Sequence, residues 1–145
     1  YPGMTTMIDT LAEKKIPLGI VTGGQKTRIL KKVPRTFLGK FNTFVTGDMK
    51  IQEKPFPDPY IMGNEALGFA PEHYIVVENA PLGIQAAKAA NTYCIAICST
   101  LESSYLQEAD AVIDSFDQLR NLDIIDDLLR TFRNKFAGLP SEIQY

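Results

Sequence analysis

Two spacings of apolar residues organise this chain. Met4, Met7, Ile8, Leu11 and Ala12 recur at i, i+3, i+4, i+7 and i+8, the stripe of an amphipathic helix. Thr5 or Thr6 is placed to cap its start, and Lys14-Lys15 suits its negative end. From Ile16 to Thr22 the pattern changes to a short continuous apolar run, which predicts a buried strand. Gly23-Gly24 breaks it, and Gln25 to Val33 reads as a helix stopped by Pro34. Phe41 to Thr46 predicts a third apolar element, closed by Gly47-Asp48. The polar, proline-bearing stretch from Asp48 to Asp58 predicts a loop. A helix then runs from about Pro59 to Leu67 and ends at Gly68. Tyr74 to Val77, Cys94 to Cys98 and Ala111 to Ile113 predict further strands. The alanine-rich run Pro81 to Ala90 predicts a helix with Pro81 in its first turn. Ile124 to Phe136 predicts a last amphipathic helix, followed by a frayed tail. Nearly all-apolar strands alternating with helices predict a parallel α/β sheet covered on both faces, with no repeat and no second domain.

The chain has 145 residues, enough for one domain with its own core. Its net charge of -2 speaks against general attraction to nucleic acid or anionic membranes. No apolar run approaches the ~18 residues of a membrane span. The opening Tyr1-Pro2-Gly3 does not read as a signal peptide. A start without Met points to a longer polypeptide, and processing would have the same effect. Cys94 and Cys98 fall four apart on one strand, ~13 Å at ~3.3 Å per residue, whereas a disulfide needs Cα atoms within ~7 Å. They are expected to be reduced core thiols of a cytoplasmic protein.

Ligands of such sheets bind beyond the carboxyl ends of the strands. Those ends carry Thr22-Gly23-Gly24, then Glu53-Lys54-Pro55, then Glu78-Asn79. A hydroxyl, backbone N–H groups free to approach a phosphate, an ammonium and hard oxygens together suit an oxyanion and a divalent cation. Taken singly, Thr22-Gly23-Gly24 is also an ordinary turn, Lys54 a solvated loop lysine and Glu78-Asn79 a turn and cap. His73 reads as a surface residue without a role, and Asp126-Asp127 as a solvated helix face. Residue pattern alone leaves a phosphate- or metal-binding α/β domain.

The joint order is more specific. Ile20-Val21-Thr22-Gly23-Gly24 is followed by Val45-Thr46-Gly47-Asp48. Then come the Lys-Pro-x-Pro-Asp-x-Tyr run from Lys54 to Tyr60 and the Glu-x-x-x-x-Gly-Ile-x-Ala-Ala run from Glu78 to Ala87. In this the chain, from about Pro2 to Leu119, resembles the haloacid dehalogenase superfamily. The nearest branch is that of β-phosphoglucomutase and phosphoglycolate phosphatase. The resemblance implies a three-layer α/β/α Rossmann-like core over residues 1–137, with a tail over 138–145. It implies that Thr22 and the Gly23 N–H hold a transferring phosphoryl group. It implies that Lys54 bridges that group to a nucleophilic aspartate, and that Glu78 and Asn79 help to hold Mg²⁺. The family usually has aspartate at the position of Asn79, so weaker Mg²⁺ binding is implied. Asn91 stands where glycine is common, a mild change because asparagine tolerates the left-handed conformation.

One family feature does not occur in the 145 residues. The family's first strand ends in Asp-x-Asp, nucleophile first and acid/base second, and a helical cap follows in this branch. Asp9, Asp48 and Asp58 fall in a helix or in loops instead. The core is therefore expected to be partial, without first strand or cap, and inactive by itself. The parent is expected to be an Mg²⁺-dependent phosphatase or phosphomutase acting on a small phosphorylated metabolite through an aspartyl-phosphate. The alternative is a non-catalytic binding or regulatory relative. An unrelated nucleotide-binding domain is disfavoured, since neither GxGxxG nor a P-loop occurs. Lys54, in a polar loop, is expected to matter to the phosphoryl site and little to stability. The resembled first strand lies between the strands ending at Thr22 and Glu78. That gap is expected to be filled by an N-terminal segment or a second chain. A direct ladder between Val21 and Val76 would show that it had closed.

Overall fold

Strand β4 (Tyr93–Ile97) explains why this sheet is covered on both faces. Its side chains alternate, so Cys94 and Ala96 enter one apolar cluster while Ile95 and Ile97 enter another. Helices α4 (Asp58–Leu67) and α5 (Pro81–Ala89) form the first side, bringing Tyr60, Ile84, Ala86 and Ala87. Helix α1 (Met4–Glu13) and a 3₁₀ segment (Phe116–Asn121) form the second, bringing Met7, Phe116 and Leu119. With both faces buried, an all-apolar strand is the stable composition. The computed structural model describes residue 1, residues 3–121 and residue 130. The helix expected over 124–136, Asp126-Asp127 and the tail over 138–145 lie outside the described residues.

The strands are parallel. β1 (Gly19–Val21) pairs with β2 (Thr43–Val45) in the register Gly19↔Thr43 to Val21↔Val45. β3 (Ile75–Glu78) pairs with β4, and β4 with β5 (Ala111–Ile113). Helix α2 (Lys26–Lys32) stops before Pro34 as expected, but Pro34 also opens a short helix, α3 (Arg35–Leu38), that the apolar pattern does not signal. Two local expectations are corrected. Neither Thr5 nor Thr6 caps α1: both lie inside the helix, because Gly3 takes the cap position. His73 is not a plain surface residue: it is half-buried, and its Nδ1 is enclosed without a partner among the described residues. Asn91 does take the left-handed conformation, at φ 55°.

The central expectation concerned the sheet. Among the described residues, β1 and β3 share no ladder, so the sheet is split into the pair β1–β2 and the triplet β3–β4–β5. It has not closed. A groove of about 450 Å³ lies between the halves, walled by β1, β3, α1 and α4. Closing it would bring β1 and β3 together and displace the helices packed on both faces. No helix among the described residues is long and apolar enough to cross a membrane. Cys94 and Cys98 are free thiols, and burial, with the nearby Glu78 and Asp110 charges, pushes the Cys94 thiol up to about 12.

Candidate active site

The carboxyl ends of β1 and β3 face the same edge of the split sheet, and Lys54 spans the distance between them. Its ammonium donates to the Val21 carbonyl oxygen at 3.4 Å and to the Tyr60 hydroxyl at 2.9 Å, and forms an ion pair with Glu78 Oε1. Tyr60, on the first turn of α4, lies under the same ammonium, 4.8 Å from ring centroid to Nζ, and donates its own hydroxyl to Glu78 Oε1 at 2.6 Å. The Lys54 and Glu78 side chains are 19% and 10% exposed. Lys54 is therefore not the solvated loop lysine that its polar sequence context suggests, and the expectation of a small stability role is overturned. Glu78 and Tyr60 are 24 and 6 residues away, so only the fold brings the three together.

This geometry sets the charges. Burial opposes ionisation of Glu78, but the Lys54 ammonium, hydrogen bonds from Lys54 and Tyr60, and the Asn79 N–H at 3.0 Å outweigh it. The Glu78 carboxyl is accordingly held below its ordinary value. Burial first, then the Glu78 charge, raise the Tyr60 hydroxyl far above the usual phenol range, so it stays a donor. Helix α5 begins at Pro81 directly after this carboxylate, and a Cβ at Gly83 would overlap the Glu78 carboxylate. The glycine of the Glu-x-x-x-x-Gly run thus makes room for the glutamate of the same run.

Thr22 and Gly23 follow Val21 directly, at the same edge. The Thr22 hydroxyl accepts from the Gly24 N–H at 3.1 Å, which bends the chain and leaves its own proton free to donate outward. Gly23 is exposed, and a Cβ there would meet nothing within 4 Å. The turn is pinned from β2: the Gly47 N–H donates to the Gly24 carbonyl at 3.0 Å, and Asp48 Oδ1 accepts from the Lys26 N–H at 3.2 Å. A Cβ at Gly47 would overlap the Gly23 carbonyl oxygen, so this close approach requires glycine. Asn79 points across the edge, donating to the Tyr1 hydroxyl at 3.1 Å and the Ser99 hydroxyl at 3.2 Å. The structure thus joins Lys54 to Glu78 and Asn79 directly, and places Thr22 and Gly23 beside the carbonyl that Lys54 contacts.

Tyr60, Ser99 and Tyr1 were not singled out from the sequence. Tyr60 had a signal, the closing tyrosine of the Lys-Pro-x-Pro-Asp-x-Tyr run; Ser99 and Tyr1 had none. For a divalent cation the donor set is partial. Glu78 and Asn79 offer hard oxygens, yet one Glu78 oxygen is committed to Lys54 and Tyr60. Among the described residues, no group of three or more His, Cys, Asp or Glu side chains is placed to hold a metal.

A parallel α/β core with a hydroxyl, exposed backbone N–H groups, an ammonium and a carboxylate at its carboxyl edge defines an oxyanion-binding α/β protein of the Rossmann-like class. Within that class, the chain belongs to the haloacid dehalogenase-like hydrolase family, whose model matches residues 1–97. It is 33% identical over 118 residues to hexitol phosphatase A of Escherichia coli (strain K12), a match covering 81% of this chain and 55% of that protein. It is 29% identical over 125 residues to phosphoglycolate phosphatase of the same organism, covering 82% and 49%. The crystal structure of β-phosphoglucomutase from Clostridium difficile shares the fold, with a TM-score of 0.71 at 24% identity, covering 90% of this chain and 56% of that one. These place the chain in the β-phosphoglucomutase and phosphoglycolate phosphatase branch. The chain spans about half the length of the curated relatives it matches.

Proposed function

We propose that this chain is the phosphoryl-binding core of a cytoplasmic phosphatase or phosphomutase that acts on a small phosphorylated metabolite. The observation that carries this is the Lys54 ammonium, fixed by Tyr60 and Glu78 at the mouth of the gap between β1 and β3. A buried, oriented cation there neutralises a phosphoryl group held by the Thr22 hydroxyl and the Gly23 N–H. The attacking carboxylate is that of an aspartate outside the described site. Asp9 is engaged by Lys40 and Asp48 by the Lys26 amide, so neither is available as a nucleophile at Lys54. Glu78 and Asn79 would contribute oxygens toward Mg²⁺, which neutralises phosphoryl charge when bound; a further carboxylate is needed to complete that site.

The 145-residue chain by itself is therefore expected to hydrolyse no p-nitrophenyl phosphate in the presence of Mg²⁺, because no aspartyl-phosphate can form. Turnover above background that is lost in Lys54→Ala would overturn that assignment of the nucleophile. One observation favours a second, non-catalytic reading: Asn79 is neutral and Glu78 is already paired. A calorimetric titration separates the two. If Asn79 faces the metal, Asn79→Asp adds a charged hard ligand and tightens Mg²⁺ binding, by about tenfold for ~1.4 kcal/mol. Equal affinity in the two forms would remove Asn79 from the metal site and favour the binding-domain reading.

A further inference from the structure

We propose that the groove between β1 and β3 is an acceptor for one extended apolar peptide segment, which inserts as the middle strand, parallel to both, and presents a carboxylate at its carboxyl end to Lys54. The segment follows from what the groove leaves unpaired. The Thr22 N–H donates toward β2, to the Val45 carbonyl at 2.9 Å. By alternation the Val21 groups face the other way, into the gap, where the Lys54 ammonium reaches the Val21 carbonyl. β3 presents the opposite wall, and no ladder joins the two. Two facing strand edges lack hydrogen-bond partners, and only an extended backbone offers donors and acceptors to both at once. A small apolar molecule would fill space and leave those groups unpaired.

The walls specify the side chains. Met4, Met7 and Leu11 of α1 lie on one side of the groove, and Tyr60 and Leu67 of α4 on the other. A strand between them buries both of its faces, so its residues are apolar throughout. Two further groups point to a backbone occupant. Asn64 is only 8% exposed and its Nδ2 has no partner; His73 Nδ1 is also buried and unpartnered; both residues line the groove. One is a donor and the other can accept, and a peptide strand supplies a carbonyl and an N–H. β1 has three residues and β3 four, so a segment of about five residues spans them. The carboxylate at its end rests on the phosphoryl-site reading; the strand itself does not.

The probe is the capped peptide Lys-Lys-Val-Ile-Val-Ile-Asp, its lysines added for solubility, titrated into the 145-residue chain. Expected are saturable calorimetric binding, slowed amide hydrogen exchange at Gly19 and Val21, and a melting temperature raised by about 5 °C or more at saturation. If the free chain is unfolded, the same titration read by circular dichroism is expected to show a gain of helix, and no gain overturns the proposal. Replacing the central valine by proline removes a ladder donor and is expected to abolish binding; equal binding would reduce the groove to an unspecific apolar surface. Asn64→Leu is expected to weaken the peptide about tenfold while leaving the empty chain at least as stable, because it removes an unsatisfied buried amide. A loss of stability without a loss of affinity overturns the assignment of Asn64. Ending the peptide in Asn instead of Asp separates the two levels: equal affinity keeps the strand and counts against the phosphoryl reading. A dimer seen by light scattering that the peptide does not dissociate would show that a second copy fills the groove, and would overturn the proposal.

Discussion

Lys54→Met is expected to cost about 2–3 kcal/mol of folding stability at pH 7, where an exposed loop lysine would cost less than ~0.5 kcal/mol. The methionine keeps most of the aliphatic stem but leaves the Glu78 carboxylate, 10% exposed, without its cation. Removing one partner of a buried pair strands the other charge, the costly half of such a substitution. The pH dependence is the signature. In the native chain the Glu78 pKa is depressed below its model value of 4.5, so its contribution is present above that value and is lost as pH falls through the folded pKa. In Lys54→Met, burial dominates and the carboxyl is raised instead. The penalty is then largest at pH 7 and shrinks toward pH 4–5, as protonation makes Glu78 neutral. Urea unfolding of both forms at pH 7 and pH 5 measures this, and Glu78→Gln in the Lys54→Met background is expected to recover most of the loss. A penalty that is negligible at both pH values would mean that the pair is solvated and the ammonium is not held in place.

Two neighbouring glycines are expected to respond in opposite ways. Gly47→Ala would place a methyl on the Gly23 carbonyl oxygen, a backbone atom that cannot swing aside. Either the turn after β1 or the turn after β2 must move, at about 1–3 kcal/mol, as for other overpacked sites. The bond from the Gly47 N–H to the Gly24 carbonyl lengthens, and the Thr22–Gly23 donors lose their position. Gly23→Ala meets nothing within 4 Å and is expected to change stability by less than ~0.5 kcal/mol. Unfolding midpoints give the stability difference, and calorimetric titration with inorganic phosphate reports the site. Equal and small effects at the two positions would mean that the turns are loose and that the pinning from β2 does not organise the phosphoryl donors.

Short-range physics made most elements legible in advance. The 3.6-residue stripe from Met4 to Ala12, the apolar runs at β1 to β5, and the punctuation by Gly23-Gly24, Pro34, Gly68 and Pro81 all depend on neighbours within a few residues. So did the choice of Thr22, Lys54, Glu78 and Asn79, each found by asking which polar residue follows an apolar strand. The short helix α3 escaped notice because four residues carry too little periodicity to register. Tyr60 was visible as the end of a motif but not as a participant, since a tyrosine on a helix is most often packing.

The sequence by itself determined the strand and helix order, the parallel sheet covered on both faces, and which residues end up at its carboxyl edge. Only the tertiary structure decided their chemistry. Lys54 and Glu78 are 24 residues apart, and whether an ammonium is solvated or locked into a buried pair depends on what the fold packs around it. The same holds for the enclosed Nδ1 of His73 and Nδ2 of Asn64, which no local pattern marks as unpaired. It holds most of all for the gap between β1 and β3. Strand pairing is a long-range property: each strand's own residues make it extended, but which edges meet, and which stay apart, is set by the helices packed on both faces.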